Sequence, residues 1–597
     1  MKIQVRDVSP RSIWALQQAG IHPLLAQLYA ARGVHTADEL DDGLARLLHP
    51  STMLGTHEAA LLLADAMKAG QKICIVADYD CDGATACAVA LRGLTLLGAT
   101  DVTYLVPDRV VDGYGLTAPI AERVRALGAD VLVTVDNGIA SFEGVARARA
   151  LGMQVLVTDH HLPALSDGSI LLPDADVIVN PNQPGCGFES KSIAGVGVMF
   201  YVLLALRAEL RRRGLFMVAP TLAAGESALP EAPGRAPEPR LDVLLPLVAL
   251  GTVADVVKLD SNNRRLVAQG LKRIRAGHLP AGLASLFVAA GRKANVATAF
   301  DFGFALGPRI NAAGRLSDMT LGIECLLTDD VTRAGELAST LDGINRERRN
   351  IEAGMRDQAQ LAADAMIDED AHGQQGPPPA IAIFDPDFHE GVVGIVASRI
   401  KDKLHRPTFV FAASKAPGKA HELKGSGRSI PGFHLRDALD LVAKRCPGVL
   451  MKFGGHAMAA GCTIREEHFE QFEFALQQVA SEWLDAATLL RRLDTDGPLA
   501  AIYRRADVVD TLHREVWGQG FAAPTFSEEI EVVSQRIVGE RHLSLKLKHQ
   551  GQPVDGIWFG HTEQLPARVT LAFRLDADEY QGVRRVRFLV EAAESIR

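Results

Sequence analysis

Paired cysteines, excess basic charge and long apolar runs are all missing from this chain, and each absence closes off a class of protein. The seven cysteines, at 74, 81, 87, 186, 325, 446 and 462, include no C-x-x-C pair and no even count to pair off. That argues against a disulfide framework or a thiolate zinc site and fits reduced thiols in a cytoplasm. The longest apolar run, Ile193 to Leu206, meets Arg207 and falls short of the roughly 18 residues a membrane-spanning helix needs. It reads as a buried helix, and no membrane association is expected. Met1 to Ser12 carries charges without an apolar core, so no signal peptide is expected. With a net charge of -9 the chain is not basic overall, and any nucleic-acid contact has to come from local basic patches. Its 597 residues exceed a single hydrophobic core, so about three or four domains are expected.

What the chain does have is a short apolar run, Ile73-Cys-Ile-Val-Ala77, that leads into Asp78, Asp80 and Asp82 and stops at Gly83. Carboxylates at alternate positions repel one another unless cations sit among them, so a metal site is the first expectation. The calcium loop of an EF-hand shares the D-x-D-x-D-G pattern but needs a Glu at its twelfth position and helices on both sides. Here the twelfth position is Val89 and the preceding segment reads as strand. An acidic solvated loop is the plain alternative, but it needs no apolar strand feeding it.

From Glu58 helix and strand alternate. Helices are expected over Glu58 to Ala69, Thr85 to Leu97, Ala118 to Leu127 and Phe142 to Leu151, and strands over Ile73 to Ala77, Val102 to Val106, Val131 to Val135, Val155 to Thr158 and Val177 to Asn180. Such alternation predicts a parallel sheet covered on both faces, with ligands gathering beyond the carboxyl ends of its strands. Three of those ends are polar: the Asp78 run, Asp136-Asn-Gly138 and Asp159-His-His161. Singly, each could be a turn or a helix cap; together they predict a site. Asp255 follows a further apolar run from Val248. The first 57 residues read as helical, with a break near His49-Pro50.

Met217 to Arg240, dense in Ala, Pro, Gly and Glu, reads as a flexible surface insertion. Helices dominate after Asp255, and Gly307 to Arg315 is expected to interrupt them. Its glycines would let the backbone approach a ligand and its two arginines suit phosphate, although a surface loop with stacked arginines fits equally well locally. Arg333 to Leu341 and Ile344 to Met366 read as helix on an exposed connector, ended by Gly373 to Pro379. A second α/β domain starts at the strand Ala380 to Phe384. It carries His389 to Gly394, Gly425-Ser-Gly-Arg-Ser429 and Gly454-Gly-His-Ala-Met-Ala-Ala-Gly461, whose glycine turns can form amide nests for anions. From about Leu490, short strands over Glu529 to Ser534, His542 to Leu547, Val554 to Phe559, Val569 to Leu575 and Arg584 to Val590 predict a small barrel of the OB type. Arg536, Arg541, Lys546, Lys548, Arg584, Arg585 and Arg587, with Trp558, Phe559, Phe573 and Tyr580, suit a single-stranded nucleic acid; a solvated basic face over an aromatic core is the alternative.

If Asp80, Asp82, Asp136, His160 and Asp255 converge, four carboxylates and an imidazole favour Mn²⁺ or Mg²⁺. Two cations roughly 3.5 to 4 Å apart could share Asp136 as a bridge and clamp a phosphoryl centre. Of the adjacent His160 and His161, one would be a ligand while the other meets the phosphate or orients a ligand.

Asp78-Tyr-Asp-Cys-Asp-Gly83, Asp136-Asn-Gly138, Asp159-His-His161 and Ala254-Asp255 resemble the four motifs of the DHH phosphoesterases, and Gly454 to Gly461 resembles that of their DHHA1 domain. Gly307 to Arg315, His389 to Arg399 and the C-terminal barrel are similar to that family's bacterial single-stranded-DNA-specific exonucleases. The blocks fall in the family's order and span nearly the whole chain. The resemblance implies an α/β protein: an N-terminal helical segment (1–57), a parallel-sheet DHH domain (58–329), a long connecting helix (330–372), an α/β DHHA1 domain (373–485) and an OB-like β-barrel that binds nucleic acid (490–597). It implies a 5′→3′ exonuclease of recombination and repair that uses two Mn²⁺ or Mg²⁺ ions. A DHH phosphodiesterase acting on short oligonucleotides or small phosphate esters is the alternative.

By position, Asp80, Asp82, Asp136, His160 and Asp255 are the implied metal ligands, and Asp78, Asp136 and His161 the implied catalytic residues, Asp78 and His161 lying close by the ligand set. Arg109 and Arg309 are expected to hold the 5′-terminal phosphate, Tyr114, Asn311 and Arg315 to bind the nucleic acid or its phosphates, and His389, Arg428, Ser429 and His456 to face the strand from the second domain. The implied setting is a cytoplasmic monomer that meets single-stranded DNA, a single-stranded-DNA-binding protein and a helicase. Two features depart from the family pattern: Val76 stands where many members have a histidine, and the insertion 217–240 has no counterpart.

Overall fold

The computed structural model describes residues 1–596 apart from 110, 167–168, 217–236, 371–376, 416–417, 420, 486–487 and 581–582. Most of the expected insertion, and most of the segment expected to end the connector, therefore lie outside the described residues. Five short apolar strands build the first sheet: β1 (Ile73–Ala77), β2 (Val102–Leu105), β3 (Val131–Val135), β4 (Gln154–Thr158) and β5 (Val177–Val179). All are parallel, in the order β2-β1-β3-β4-β5. Because successive side chains alternate between faces, Ile75, Ala77, Val133 and Val135 join one core while Cys74, Val76 and Leu132 join another. The chain leaves β1 to one side for β2 and returns on the other for β3, so the β1 and β3 ends form the switch point where such sheets bind ligands.

Helix α1 (Cys81–Leu96) follows β1 at once, capped by the Asp80 carboxylate, which accepts the Gly83 N–H at 3.0 Å. The run from Ile193 becomes the buried helix α2 (Gly195–Arg212). A second apolar helix, α3 (Leu245–Ala254), ends in Asp255. The expected interruption at Gly307 to Arg315 is instead a helix, α4 (Gly307–Leu316), entered through a π-helical turn, Phe302–Leu306. Pro308 is harmless in a first turn, whose N–H groups need no partner. Gly314 is needed for packing, since a Cβ there would stand 2.0 Å from the Tyr79 carbonyl oxygen.

The two helices expected on the connector are one, α5 (Val331–Asp370). It is not simply exposed: Met355, Ala359 and Ala363 bury against Val393, Val396 and Ile400 of the second domain and hold that domain beside the first. There the strands run in the order Leu450–Gly455, Ala459–Arg465, Glu422–Arg428, Thr408–Ala413, Ile381–Phe384. Beyond it, Phe526–Val538, His542–His549, Gln552–Phe559, Val583–Ser595 and Arg568–Tyr580 close a barrel in that order. Bulges at Val532/Ser534 and Ala572/Phe573 let strands longer than expected bend around it.

The N-terminal segment has its helices, Pro10–Gln18 and Pro23–Ala30, but begins with a strand, Lys2–Val5, that pairs with Arg492–Thr495 ahead of the barrel. Arg32 meets both oxygens of the buried Asp496, at 2.9 and 3.0 Å, fixing this join. Among the described residues no helix is long and apolar enough to cross a membrane.

Candidate metal centre and phosphate site

Asp78, Tyr79 and Asp80 leave β1 directly over the switch point. Asp82, one turn on, receives the first two N–H groups of α2: Gly195 donates at 2.6 Å and Val196 at 2.9 Å. A helix N-terminus suits a carboxylate. The approach requires glycine, because a Cβ at Gly195 would lie 2.6 Å from that of Asp136. Asp136 itself has φ +62°, a left-handed conformation uncommon outside glycine. The next residue, Asn137, ties two strand ends together, its Nδ2 donating to the carbonyls of Val76 and Val135 at 3.1 and 2.9 Å.

At the end of β4, Asp159 organises both histidines. Its Oδ1 accepts the backbone N–H of His160 at 2.7 Å and of His161 at 3.1 Å, and lies 2.7 Å from His161 Nδ1. Its Oδ2 accepts the Ile139 N–H at 2.9 Å. His160 is thereby aimed inward, with Nε2 3.1 Å from Asp136 Oδ1 and 3.5 Å from Asp255 Oδ2. Three overlapping groups have ligand atoms within 4.8 Å of one another: Asp82, His160 and Asp255; Asp78, Asp80 and Asp136; and Asp136, His160 and His161. Asp136 belongs to two of them. Asp78, expected just outside the ligand set, sits within one.

The donor atoms fit divalent cations. Asp136 Oδ1, His160 Nε2 and Asp255 Oδ2 are buried and form no hydrogen bond among the described residues, an arrangement that is costly unless a cation balances it. Burial, reinforced by neighbouring aspartates, pushes Asp78 up to about 8 and Asp82 to about 7, and drives Asp136 and Asp255 well above the carboxylate range. Burial pulls His160 down to about 3. For His161 burial acts the same way, but the charge and hydrogen bond of Asp159 carry it up to about 10. Asp159 stays well below its usual range despite burial, held by His161 and His160.

Beside the carboxylates lies a cluster of arginines. Arg109 stacks on the Tyr79 ring, 4.2 Å from its centroid, with a buried Nε that forms no hydrogen bond among the described residues. Burial, with the charges of Arg109 and Arg428, lowers Arg315 to about 9; burial and Arg109 lower Arg428 as well. Two guanidiniums held down partly by the charge of their arginine neighbours invite an anion. Arg109, Arg315 and His389 also line an open cleft of 740 Å³ between the first two domains. Tyr114 meets His161 edge-on, and His456 of the second domain stacks over it with centroids 6.0 Å apart.

Not every expected residue arrives. Arg309 faces the other way on α4, bound to Asp342 of α5 at 2.8 Å and to the Ala305 and Ala289 carbonyls; it joins helices and does not reach the site. Ser429 is buried and donates its hydroxyl to the Phe433 carbonyl at 2.6 Å, shaping a turn. Asn311 Oδ1 accepts the Cys81 N–H at 2.7 Å, so that oxygen positions the acidic loop and is not presented to a phosphate. Val76 packs into the core on the far face of the sheet. On the barrel, Phe573 stacks with Phe588 in the interior, while Lys546, Lys548, Arg584 and Arg587 pair with acids. Phe559 is exposed; the Tyr580 side chain lies outside the described residues. Asp159 and Asn137 are expected from sequence only as parts of polar strand ends and Tyr79 not at all, although each has a defined contact here.

Comparisons with known proteins agree with this layout. Residues 72–225 match the model of the DHH family, N-terminal domain; 377–482 match the DHHA1 domain and 495–592 the RecJ OB domain. The single-stranded-DNA-specific exonuclease RecJ of Salmonella typhimurium is 44% identical, with 96% of each chain covered. The crystal structure of RecJ in complex with Mn²⁺ from Thermus thermophilus superposes with a TM-score of 0.79 at 29% identity, covering 100% of this chain and 80% of that one. Its Mg²⁺ complex gives 0.74 at 28% identity, covering 100% and 79%.

Proposed function

Because this chain belongs to the RecJ family of single-stranded-DNA-specific exonucleases, we propose that it hydrolyses phosphodiester bonds of single-stranded DNA from the 5′ end, using Mn²⁺ or Mg²⁺, in recombination and repair. The observation that carries the reading is the convergence of Asp136 Oδ1, His160 Nε2 and Asp255 Oδ2, buried without hydrogen bonds, next to the Arg109, Arg315 and Arg428 cluster. Asp82, Asp136, His160 and Asp255, with Asp78 and Asp80, would hold the cations. Held by these residues, divalent cations would supply Lewis-acid chemistry, polarising phosphoryl oxygens and lowering the pKa of a water.

The chain's own residues do the rest. Asp136, placed between the two groups, fixes their separation, and Asp159 keeps His160 turned inward and His161 protonated. Cationic His161 then faces the phosphoryl group, where charge accumulates. Arg109, Arg315 and Arg428 grip a terminal phosphate, which favours ends over interior positions. The polarity is inferred from family membership together with this cluster. The closed barrel weighs against a phosphodiesterase confined to short oligonucleotides, which has no use for it.

A single-stranded-DNA-binding protein and a helicase fit as partners of an enzyme that consumes unpaired strands, the one coating and the other producing them. A cytoplasmic setting fits the seven free cysteines. Digestion of end-labelled strands with one terminus blocked tests substrate and direction together: a 5′ block should stop hydrolysis and a 3′ block should not. The opposite pattern, or equal cutting of duplex, would refute the reading.

A further inference from the structure

Phe300 and Phe304 stack with centroids 4.3 Å apart and planes at 18°, yet 48% and 72% of these residues face solvent. Exposed, ordered aromatic pairs on a surface usually mark a contact. Val296, four residues earlier, is exposed as well. The second ring belongs to the π-helical turn Phe302–Leu306, a distortion that recurs at functional sites.

Position gives the pair its meaning. Gly303, between the two rings, packs on Val253, to which a Cβ would stand at 3.7 Å; Asp255 of the metal centre is two residues further on. In the other direction the same segment meets the C-terminal domain. Arg275 donates to the Ala297 carbonyl at 2.8 Å and to that of Arg514 at 3.3 Å, at the end of the helix Ala506–Arg514 that packs on the barrel. Arg292, which pairs with Asp301 at 3.5 Å, and Lys293 lie exposed in the same segment.

We propose that Phe300 and Phe304 form a base-stacking step on which the incoming strand lies between the barrel and the metal centre. Any base offers a π face, so the step is indifferent to sequence. Paired bases hide their faces, so the step also selects unpaired strands. The inference rests on the exonuclease reading above.

The test compares kcat/KM on long single strands and on dinucleotides. Phe300→Ala with Phe304→Ala should lower the long-to-short ratio about ten-fold, through KM, with an unchanged thermal midpoint because both rings are exposed. Phe300→Tyr with Phe304→Trp should restore it. A strand scanned with single abasic positions should show one stretch of weakened cutting in the unaltered chain that is absent in the alanine variant. Hydrolysis with an unchanged ratio, or rescue by leucines as complete as by aromatics, would overturn the inference alone and point to a protein contact. Failure of the unaltered chain to cut any single strand would overturn the exonuclease reading and this step with it.

Discussion

His160 Nε2 stands 3.1 Å from Asp136 Oδ1, and neither atom forms a hydrogen bond among the described residues. Two polar atoms held so close and so deeply buried, without bonding, are preorganised for a third body between or beside them. Asp136→Ala should therefore abolish hydrolysis, by at least about a thousand-fold, while strand binding, measured by fluorescence anisotropy, stays within about two-fold. Full activity in that variant would remove Asp136 from the centre.

Asp159 touches neither cation position directly; it acts through the histidines. Asp159→Asn keeps the shape but removes the charge that raises His161 to about 10. Activity should fall about 10- to 100-fold, and the alkaline limb of the pH–rate profile should move to lower pH as His161 loses its proton earlier. A drop with no movement of that limb would assign Asp159 a purely structural part.

The carboxylates make metal and pH interdependent. Without metal, Asp78 and Asp82 keep protons up to about 8 and about 7, against about 4 when unfolded. Between those limits the two groups bind more protons in the folded chain than in the unfolded one, so the stability they contribute is fully present below about pH 4 and is lost as pH rises toward 8. Cations must displace those protons, so the rise in thermal midpoint on adding Mn²⁺ should be larger at pH 8.5 than at pH 6. Equal rises at the two pH values would contradict the link.

The two arginines of α4 should separate cleanly. Arg315→Ala should erase the preference for 5′-phosphorylated over 5′-hydroxyl strands in competition digests. Arg309→Ala should keep that preference and lower the thermal midpoint, because its partner Asp342 is left half-buried without its main ion-pair contact. An equal loss of preference in both would undo their assignment.

These arginines also show where sequence stops informing. Taken as a loop, Gly307 to Arg315 makes Arg309 and Arg315 equivalent. Taken as a helix, at ~100° per residue, six residues set them about 120° apart, and only one can face the site. The acids at the ends of β1, β3 and β4 were readable because strand, breaker and carboxylate are neighbours in the chain. Lys2–Val5 was not, since the strand it pairs with lies at Arg492–Thr495 and four residues alone carry no period. Phe573 illustrates a third limit: an aromatic on an alternating strand is a stacking surface or a core residue depending on how the barrel closes, and here it meets Phe588 inside. Asp159 reads as an ordinary turn residue until its oxygens are seen to collect three N–H groups and a histidine ring.

Calorimetric titration of Mn²⁺ into the metal-free chain and its Asp136→Asn variant tests the centre most directly. The account predicts about two ions per unaltered chain and fewer than two, bound more weakly, in the variant. The same stoichiometry and affinity in both, or no binding to either, would contradict it.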